Sequence, residues 1–571
     1  MKFRLTAVVT AALAVLLAIA PAQAAGKGGA PPVNARELRE WLTYIASDDL
    51  QGRAVFSTGI GLAASYIADH LRAWGVKPAG DHGSYLQTVR VVSIKATVHS
   101  SVTVEVGGER RTFVDGDGIR FPRNVGAKQQ RRVDRVDFVG YGLDVPAVGH
   151  EDYRGQAVGG NAVIWLGAAG PADVDQSRVR LLNNRNQYAT AEKGAAAVIG
   201  AGPAPRAGRG AAGRAAGRAG GAGQAGPNAP DFTTTERLDQ LLPPSATGND
   251  AFFEFLFSRA PVKYAELKRL ADARTPLPSF TLDGVTLTFD MNNDYEPVRT
   301  QLTQNVVGIV EGTDAQLKST YVAFGAHYDH IGYADGELTT TPEGTRRAGA
   351  PGRVTAGAED DRIWNGADDD GSGTVTLMAM ARAFALGPRP KRSLLFVWHT
   401  GEERGRWGSL YFVDHPTVDL DRIIAQLNVD MVGRNRDDKA SEGNSIYLVG
   451  SDRISTELDT LAQVANRGLR QPLKLDYELN DPSDPESVYT RSDHYSYAAK
   501  GIPIIFYTGA LHPDYHANTD DVSKIEFDKM ARIGALIYAT AWRVANLDHA
   551  PVRDRLGPRQ GRTAGALSTT R

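Results

Sequence analysis

The chain has 571 residues, 42% of them hydrophobic, a formal net charge of −2 and no cysteine. That length holds more than one domain's core, and the near-neutral charge offers no field to draw nucleic acid or an anionic membrane. Without cysteine there are no disulfides and no thiolate metal sites, so any metal rests on His and carboxylate.

Residues 1–24 carry Lys2 and Arg4, an apolar run over 5–20, then Pro21 and small residues up to Ala24. This predicts a signal peptide cut after Ala24. The run is short for a membrane anchor. The expected product is secreted or periplasmic, with no stable membrane insertion after signal removal. Helical spacing follows at Leu38, Leu42 and Ile45, then at Ala64, Ile67, Ala68, Leu71 and Trp74, with Gly75 as a stop. Residues 84–121 alternate in strand fashion. Residues 136–142 and 162–165 read as strands around a turn at 152–155, and 191–199 as helix end, glycine and strand.

Residues 202–230 are almost wholly Gly, Ala, Pro and Arg, and are expected to form a flexible loop. Their arginines, Arg206, Arg209, Arg214 and Arg218, have no interleaved aromatics, which argues against nucleic acid. From Val285 onward, strand and helix signals alternate. That implies an α/β layer structure with a mixed, largely parallel sheet flanked by helices. Residues 551–571 read as a disordered tail.

The chemistry lies in that second half. Residues 321–326 run into His327, and 394–398 lead into Glu402-Glu403. Residues 424–429 stop at Asp430, and 502–507 lead through a loop to His516. Short apolar runs separated by helix-length segments read as parallel strands buried on both faces. Ligands sit outside the carboxyl ends of such strands, so these groups are expected to meet one another and the run Asn365-Gly-Ala-Asp-Asp-Asp-Gly-Ser-Gly373. The helix after Gly373 points its N-terminus at that Asp cluster.

His, Asp and Glu together suit zinc, cobalt or manganese better than calcium or magnesium. Five ligands exceed what one tetrahedral site with a water needs. They match two divalent ions sharing a carboxylate and a bridging hydroxide. One member of the Glu pair is then free for proton transfer. Asp329, two residues past His327, is placed to orient that imidazole.

His-x-Asp, Asn-Gly-Ala-Asp-Asp-x-x-Ser-Gly, Gly-Glu-Glu-x-Gly-x-x-Gly-Ser, Asn-x-Asp-Met and a late His resemble the co-catalytic di-zinc exopeptidase family. That family includes bacterial leucyl aminopeptidases, aminopeptidase Y and glutamate carboxypeptidase II. The resemblance implies a zinc exopeptidase fold binding two Zn2+ per chain, with cobalt or manganese as substitutes. Asp369 would bridge the metals, Glu403 and His516 would complete one, and His327 and Asp430 the other. Glu402 would be the general base and Asp329 the residue orienting His327. The implied activity is hydrolysis of N-terminal peptide bonds, with peptide or protein N-termini as substrates.

The resemblance divides the chain into a first peptidase part (35–126), a protease-associated insert rich in β-structure (127–284) and a second peptidase part (285–548). Two other members or relatives define alternatives. A carboxypeptidase would need arginines such as Arg346, Arg347, Arg353 or Arg362 to grip a carboxylate. A glutaminyl cyclase would be expected to lack the insert. A binding protein without activity would have lost ligands that are all present here. The stretch 333–361 reads as a lid or rim loop. His330, His399, His494 and His512 read as supporting histidines, and Ser492-Asp-His494 as a pocket wall, since no Gly-x-Ser-x-Gly elbow accompanies it.

Overall fold

The computed structural model describes residues 33–175, 179–202, 230–235, 238–341, 344–482, 484 and 486–555. The expected signal segment, residues 203–229 of the Gly-rich stretch and the tail beyond 555 lie outside the described residues.

Two helices open the fold. In α1 (Ala35–Ile45), Asn34 caps the amide of Glu37, and Leu38, Trp41, Leu42 and Ile45 form the buried stripe. In α2 (Thr58–Ala73), Ser57 caps the amide of Ile60. Between them the tight turn Asp48–Arg53 directs a wholly buried Arg53 inward.

The main sheet contains β1 (Leu86–Val98), β2 (Phe232–Thr234), β3 (Asn293–Val310), β4 (Tyr321–His327), β5 (Ser393–His399), β6 (Ile423–Val429), β7 (Ser445–Val449), β8 (Lys474–Asp476) and β9 (Ile504–Thr508). Their order is β2-β1-β3-β5-β4-β6-β9-β7-β8. The central four, β5-β4-β6-β9, are parallel. The neighbours on either side, β3 on β5 and β7 on β9, are antiparallel. The sheet is thus mixed, with its parallel centre where the site lies and a further parallel pair, β7 and β8, at one edge. Alternate residues feed two cores. Phe324, Phe396, Leu427 and Ile505 pack with α1, α2, α3 (Gly373–Leu386), α5 (Thr456–Arg467) and α6 (Phe527–Ala545). Ala323, Leu395, Val397, Ile504 and Phe506 pack on the other face with Phe412 and Val413 of α4 (Trp407–Asp414). This double cover explains why every residue of β5 and β6 is buried.

Between β1 and β3 the chain builds two further sheets. One pairs Val136–Val139, Ala162–Trp165, Ala197–Ala201 and Ser245–Gly248 in parallel, with short antiparallel strands at both edges. The other is antiparallel and draws on Ser101–Val106, Glu109–Val114, Gln129–Val133 and Val285–Met291. They enclose a separate apolar core around Phe113, Phe138, Phe253, Phe257 and Phe289. Its strands begin at Ser101, ahead of residue 127, where the resemblance would start the insert. Among the described residues, no helix is long and apolar enough to cross a membrane.

Candidate metal centre

His327 is the last residue of β4, Asp430 follows β6, and Glu402-Glu403 lie in a turn just after β5. His516 lies in the loop after β9. All four positions are therefore at the carboxyl ends of the parallel strands. Asp369 enters from the segment Ala367–Ser372, immediately before α3.

The geometry centres on Asp369. Its Oδ1 is 3.3 Å from His327 Nε2, and its Oδ2 is 3.1 Å from His516 Nε2. On one side His327 Nε2 is 3.7 Å from Asp430 Oδ2. On the other, His516 Nε2 is 3.1 Å from Glu403 Oε2. The structure thus brings together all five residues read as ligands, with Glu402 and Asp329 beside them.

Neighbouring side chains decide which groups face the centre. In the Asp run, the Asp370 carboxylate accepts from the amides of His327, Gly373 and Met431. The Asp368 carboxylate accepts from the Gly433 amide, with His512 Nε2 at 3.3 Å. Asp369 is the one of the three that faces the imidazoles of His327 and His516. Its own amide, with that of Asp368, is held by the buried Asp520 carboxylate.

The His327 ring donates from Nδ1 to the backbone carbonyl of Asp329 at 3.0 Å, whereas the Asp329 carboxylate is 3.7 Å away. That bond leaves the Nε2 lone pair aimed at Asp369 and Asp430. The Asp329 carboxylate instead accepts from the amides of Glu402 and Glu403, fixing the turn that carries them. Ser492, read from sequence as a pocket wall, donates to Asp430 Oδ2 at 2.6 Å. His494 is buried beside it, its Nε2 2.7 Å from the Tyr489 carbonyl, and burial drives its pKa down to about 3.

Arg53 is the residue that sequence reading missed. Its guanidinium donates to the carbonyls of Ile45, Tyr328, Asn365 and Gly366, joining the loop after β4 to the Asp run. It has no carboxylate partner at contact distance, and burial lowers its pKa to about 10, against the pull of Asp329, Asp370 and Asp369.

The stretch 333–361 forms a rim. A three-stranded sheet, Leu338–Thr341, Gly344–Arg347 and Arg353–Val354, stands beside the His516 loop. The Arg353 amide donates to the His516 carbonyl at 2.7 Å, and its guanidinium to the carbonyls of Pro513 and Tyr515. His516 itself has a left-handed backbone, φ 54°, which is costly for a non-glycine residue.

The electrostatics favour a cation. Burial opposes charge on His327, yet Asp430 and Asp369 raise its pKa well above the usual imidazole value. His516 is raised in the same way, chiefly by Glu403. Asp369 Oδ2 is buried without a hydrogen-bond partner, which a divalent ion would satisfy. His327, Asp369 and Asp430 lie close enough to hold one ion, and His330, Asp369 and Glu403 form a second such group. The donor set of imidazole and carboxylate suits zinc.

Residues 305–541 match the model of Peptidase family M28, and this segment contains all five ligand candidates. A probable leucine aminopeptidase of Arthroderma benhamiae is 28% identical over 221 residues, covering 35% of this chain and 57% of that protein. Aminopeptidase YwaD of Bacillus subtilis is 28% identical over 200 residues, covering 33% of this chain and 39% of that protein. The chain thus spans roughly half the length of these relatives, between 39% and 57%. Among solved structures, an aminopeptidase from Aneurinibacillus sp. strain AM-1 is similar at 17% identity and a TM-score of 0.41, over 93% of this chain and 98% of that one. Residues 305–541, which place their His and carboxylate groups around Asp369, are thus similar to peptidase family M28.

Proposed function

We propose that the chain is an exported, zinc-dependent aminopeptidase that hydrolyses N-terminal peptide bonds of peptides or proteins. The observation that carries this reading is Asp369, whose two oxygens face two different imidazoles, 3.3 Å from His327 and 3.1 Å from His516. A carboxylate so placed can bind two ions at once, one completed by His327 and Asp430, the other by Glu403 and His516. Two zinc ions, or cobalt or manganese in their place, would supply Lewis acidity and acidify a water.

The chain's own residues supply the rest. Glu402 is half-buried, and desolvation with the nearby Glu403, Asp493 and Asp430 pushes its pKa well above the usual carboxylate range, against the pull of His327. A carboxyl tuned upward in this way suits proton transfer near neutrality, from a water to a leaving amine. Its backbone amide donates to Asp329 at 3.1 Å, which fixes the turn that carries it. The aminopeptidase names of the relatives support the choice of end. Three of the four arginines that a carboxypeptidase might use are engaged by rim or loop carbonyls: Arg346 by Pro351, Arg347 by Gly336 and Arg353 by Pro513.

The module between β1 and β3 fits the role of a protease-associated insert that covers the cleft or guides substrates. Its Asn184 reaches Thr490 and its Glu192 reaches Arg453. The first contact falls two residues from Ser492, the partner of Asp430.

The test uses the zinc-loaded protein and one mixed-sequence peptide with a free or acetylated N-terminus, followed by mass spectrometry. Stepwise loss from the free N-terminus, blocked by acetylation, is expected. Loss from the C-terminus of both peptides would replace this reading with a carboxypeptidase, and cleavage of neither would refute exopeptidase activity on such peptides.

A further inference from the structure

His330 lies three residues past His327 and is not among the five ligands read from the sequence, although with Asp369 and Glu403 it forms one of the two groups close enough to hold an ion. It is 1% exposed, yet neither ring nitrogen has a hydrogen-bond partner of good geometry, an expensive arrangement for a buried imidazole. Its Nδ1 is 2.9 Å from Glu403 Oε1 and 3.8 Å from Asp369 Oδ2. The other Glu403 oxygen, Oε2, is the one facing His516 at 3.1 Å. The two oxygens of one carboxylate are therefore divided between two histidines.

The surroundings are shaped for this ring. Gly366, at φ +58°, lies against it, and a Cβ there would come within 2.4 Å of the His330 ring. The His330 amide is tied to the Arg53 carbonyl, and the Arg53 guanidinium holds Gly366. The ring is consequently packed between the Asp run and the Glu402–Glu403 turn.

We infer that His330 is a positioning residue for Glu403: its Nδ1–H donates to Oε1 and presents Oε2 to the ion shared with His516. This rests on the two-ion reading given above. His330 faces the Glu403 oxygen that is turned away from His516, and this arrangement favours positioning over direct ligation. A contact of 2.9 Å to the oxygen turned away from His516 is a hydrogen-bond length, and partners of this kind tune metal affinity by roughly 10- to 100-fold.

The experiment compares the full-length protein with His330→Ala and His330→Asn. Zinc binding is titrated in metal buffers, and cobalt-loaded samples are followed by their visible spectra. The wild type should take up two ions. In His330→Ala one ion should bind roughly 10- to 100-fold more weakly while the other keeps its affinity. His330→Asn, whose amide can donate from a similar position, should recover most of the loss. Unchanged binding of both ions in His330→Ala, or equal weakening of both, would overturn the inference. So would X-ray absorption of the two-zinc wild type that counts three imidazoles over the pair, since His330 would then be a ligand. A wild type that binds fewer than two ions would instead refute the two-ion reading itself.

Discussion

His327 and Asp430 stand at the ends of β4 and β6, adjacent parallel strands whose backbones are fixed by sheet hydrogen bonds. Glu403 and His516 are carried differently. Glu403 sits in a tight turn flanked by Gly401 and Gly405, both left-handed, and His516 is itself left-handed and 31% exposed at its side chain. The strand-borne half is set by the core, since moving it would disturb the packing of Phe324 and Leu427. The loop-borne half is set by polar clamps: Asp329 on the Glu402–Glu403 amides, Arg353 on the His516 loop, and His330 on Glu403. On the proposed two-ion reading, a centre built this way should hold its ions with unequal firmness, because a clamp gives at lower cost than a close-packed core.

Substitutions can break or sharpen that contrast. The largest effect is expected at Glu402, which belongs to neither half. Glu402→Gln should reduce kcat by roughly 10²- to 10⁴-fold while zinc content stays at the wild-type level. Near-normal turnover would remove Glu402 from proton transfer. Next is Arg53, which ties the loop after β4 to the Asp run. Arg53→Ala leaves four buried carbonyls without their donor, and should lower the unfolding free energy by on the order of 3 kcal/mol or more, measured by urea denaturation of the metal-free chain. A loss below about 1 kcal/mol would show that these carbonyls find other partners.

A smaller effect concerns pH. Burial raises Asp329 to about 6, and Asp520 likewise to about 6. A carboxyl whose folded pKa lies above its unfolded value holds its proton more tightly when folded. Its contribution to stability is present below the unfolded pKa, near 4, and is lost as pH rises through about 6. The metal-free chain should therefore lose on the order of 2 kcal/mol per group between these limits. Zinc should raise the melting temperature more at pH 8 than at pH 5. An equal zinc effect at both would contradict the cost assigned to these carboxylates.

The smallest change is expected from the rim. Arg353→Ala removes the guanidinium contacts to Pro513 and Tyr515 and should weaken only the loop-borne ion, by about 10-fold. A chelator time course should then show one ion leaving faster than in the wild type and the other unchanged. Equal acceleration of both would mean that the two halves are not independent.

The strand ends were legible because burial on both faces leaves a pattern that periodicity can read: a short apolar run, then a polar stop. The same logic placed α3 directly after the Asp run. Choosing Asp369 over Asp368 and Asp370 was beyond spacing alone and came through the resemblance. In the structure backbone amides engage Asp370 and one oxygen of Asp368, while Asp369 faces His327 and His516. Arg53 and Asp520 left no signal, because they bind backbone groups distant in sequence, such as the Asn365 and Gly366 carbonyls or the Asp368 and Asp369 amides. No side-chain pattern encodes such a partner. The stretch 333–361 read equally as lid or rim. The backbone bond from Arg353 to His516 makes it a rim.

The central claim is that Asp369 joins two metal positions of different construction. Diffraction from zinc-loaded crystals, with anomalous differences recorded at the zinc edge, tests it most directly. Two peaks should flank Asp369, one beside His327 and Asp430 and the other beside Glu403 and His516, with the second fading first as chelator is introduced. A single peak, or two peaks of which neither touches Asp369, would contradict the account.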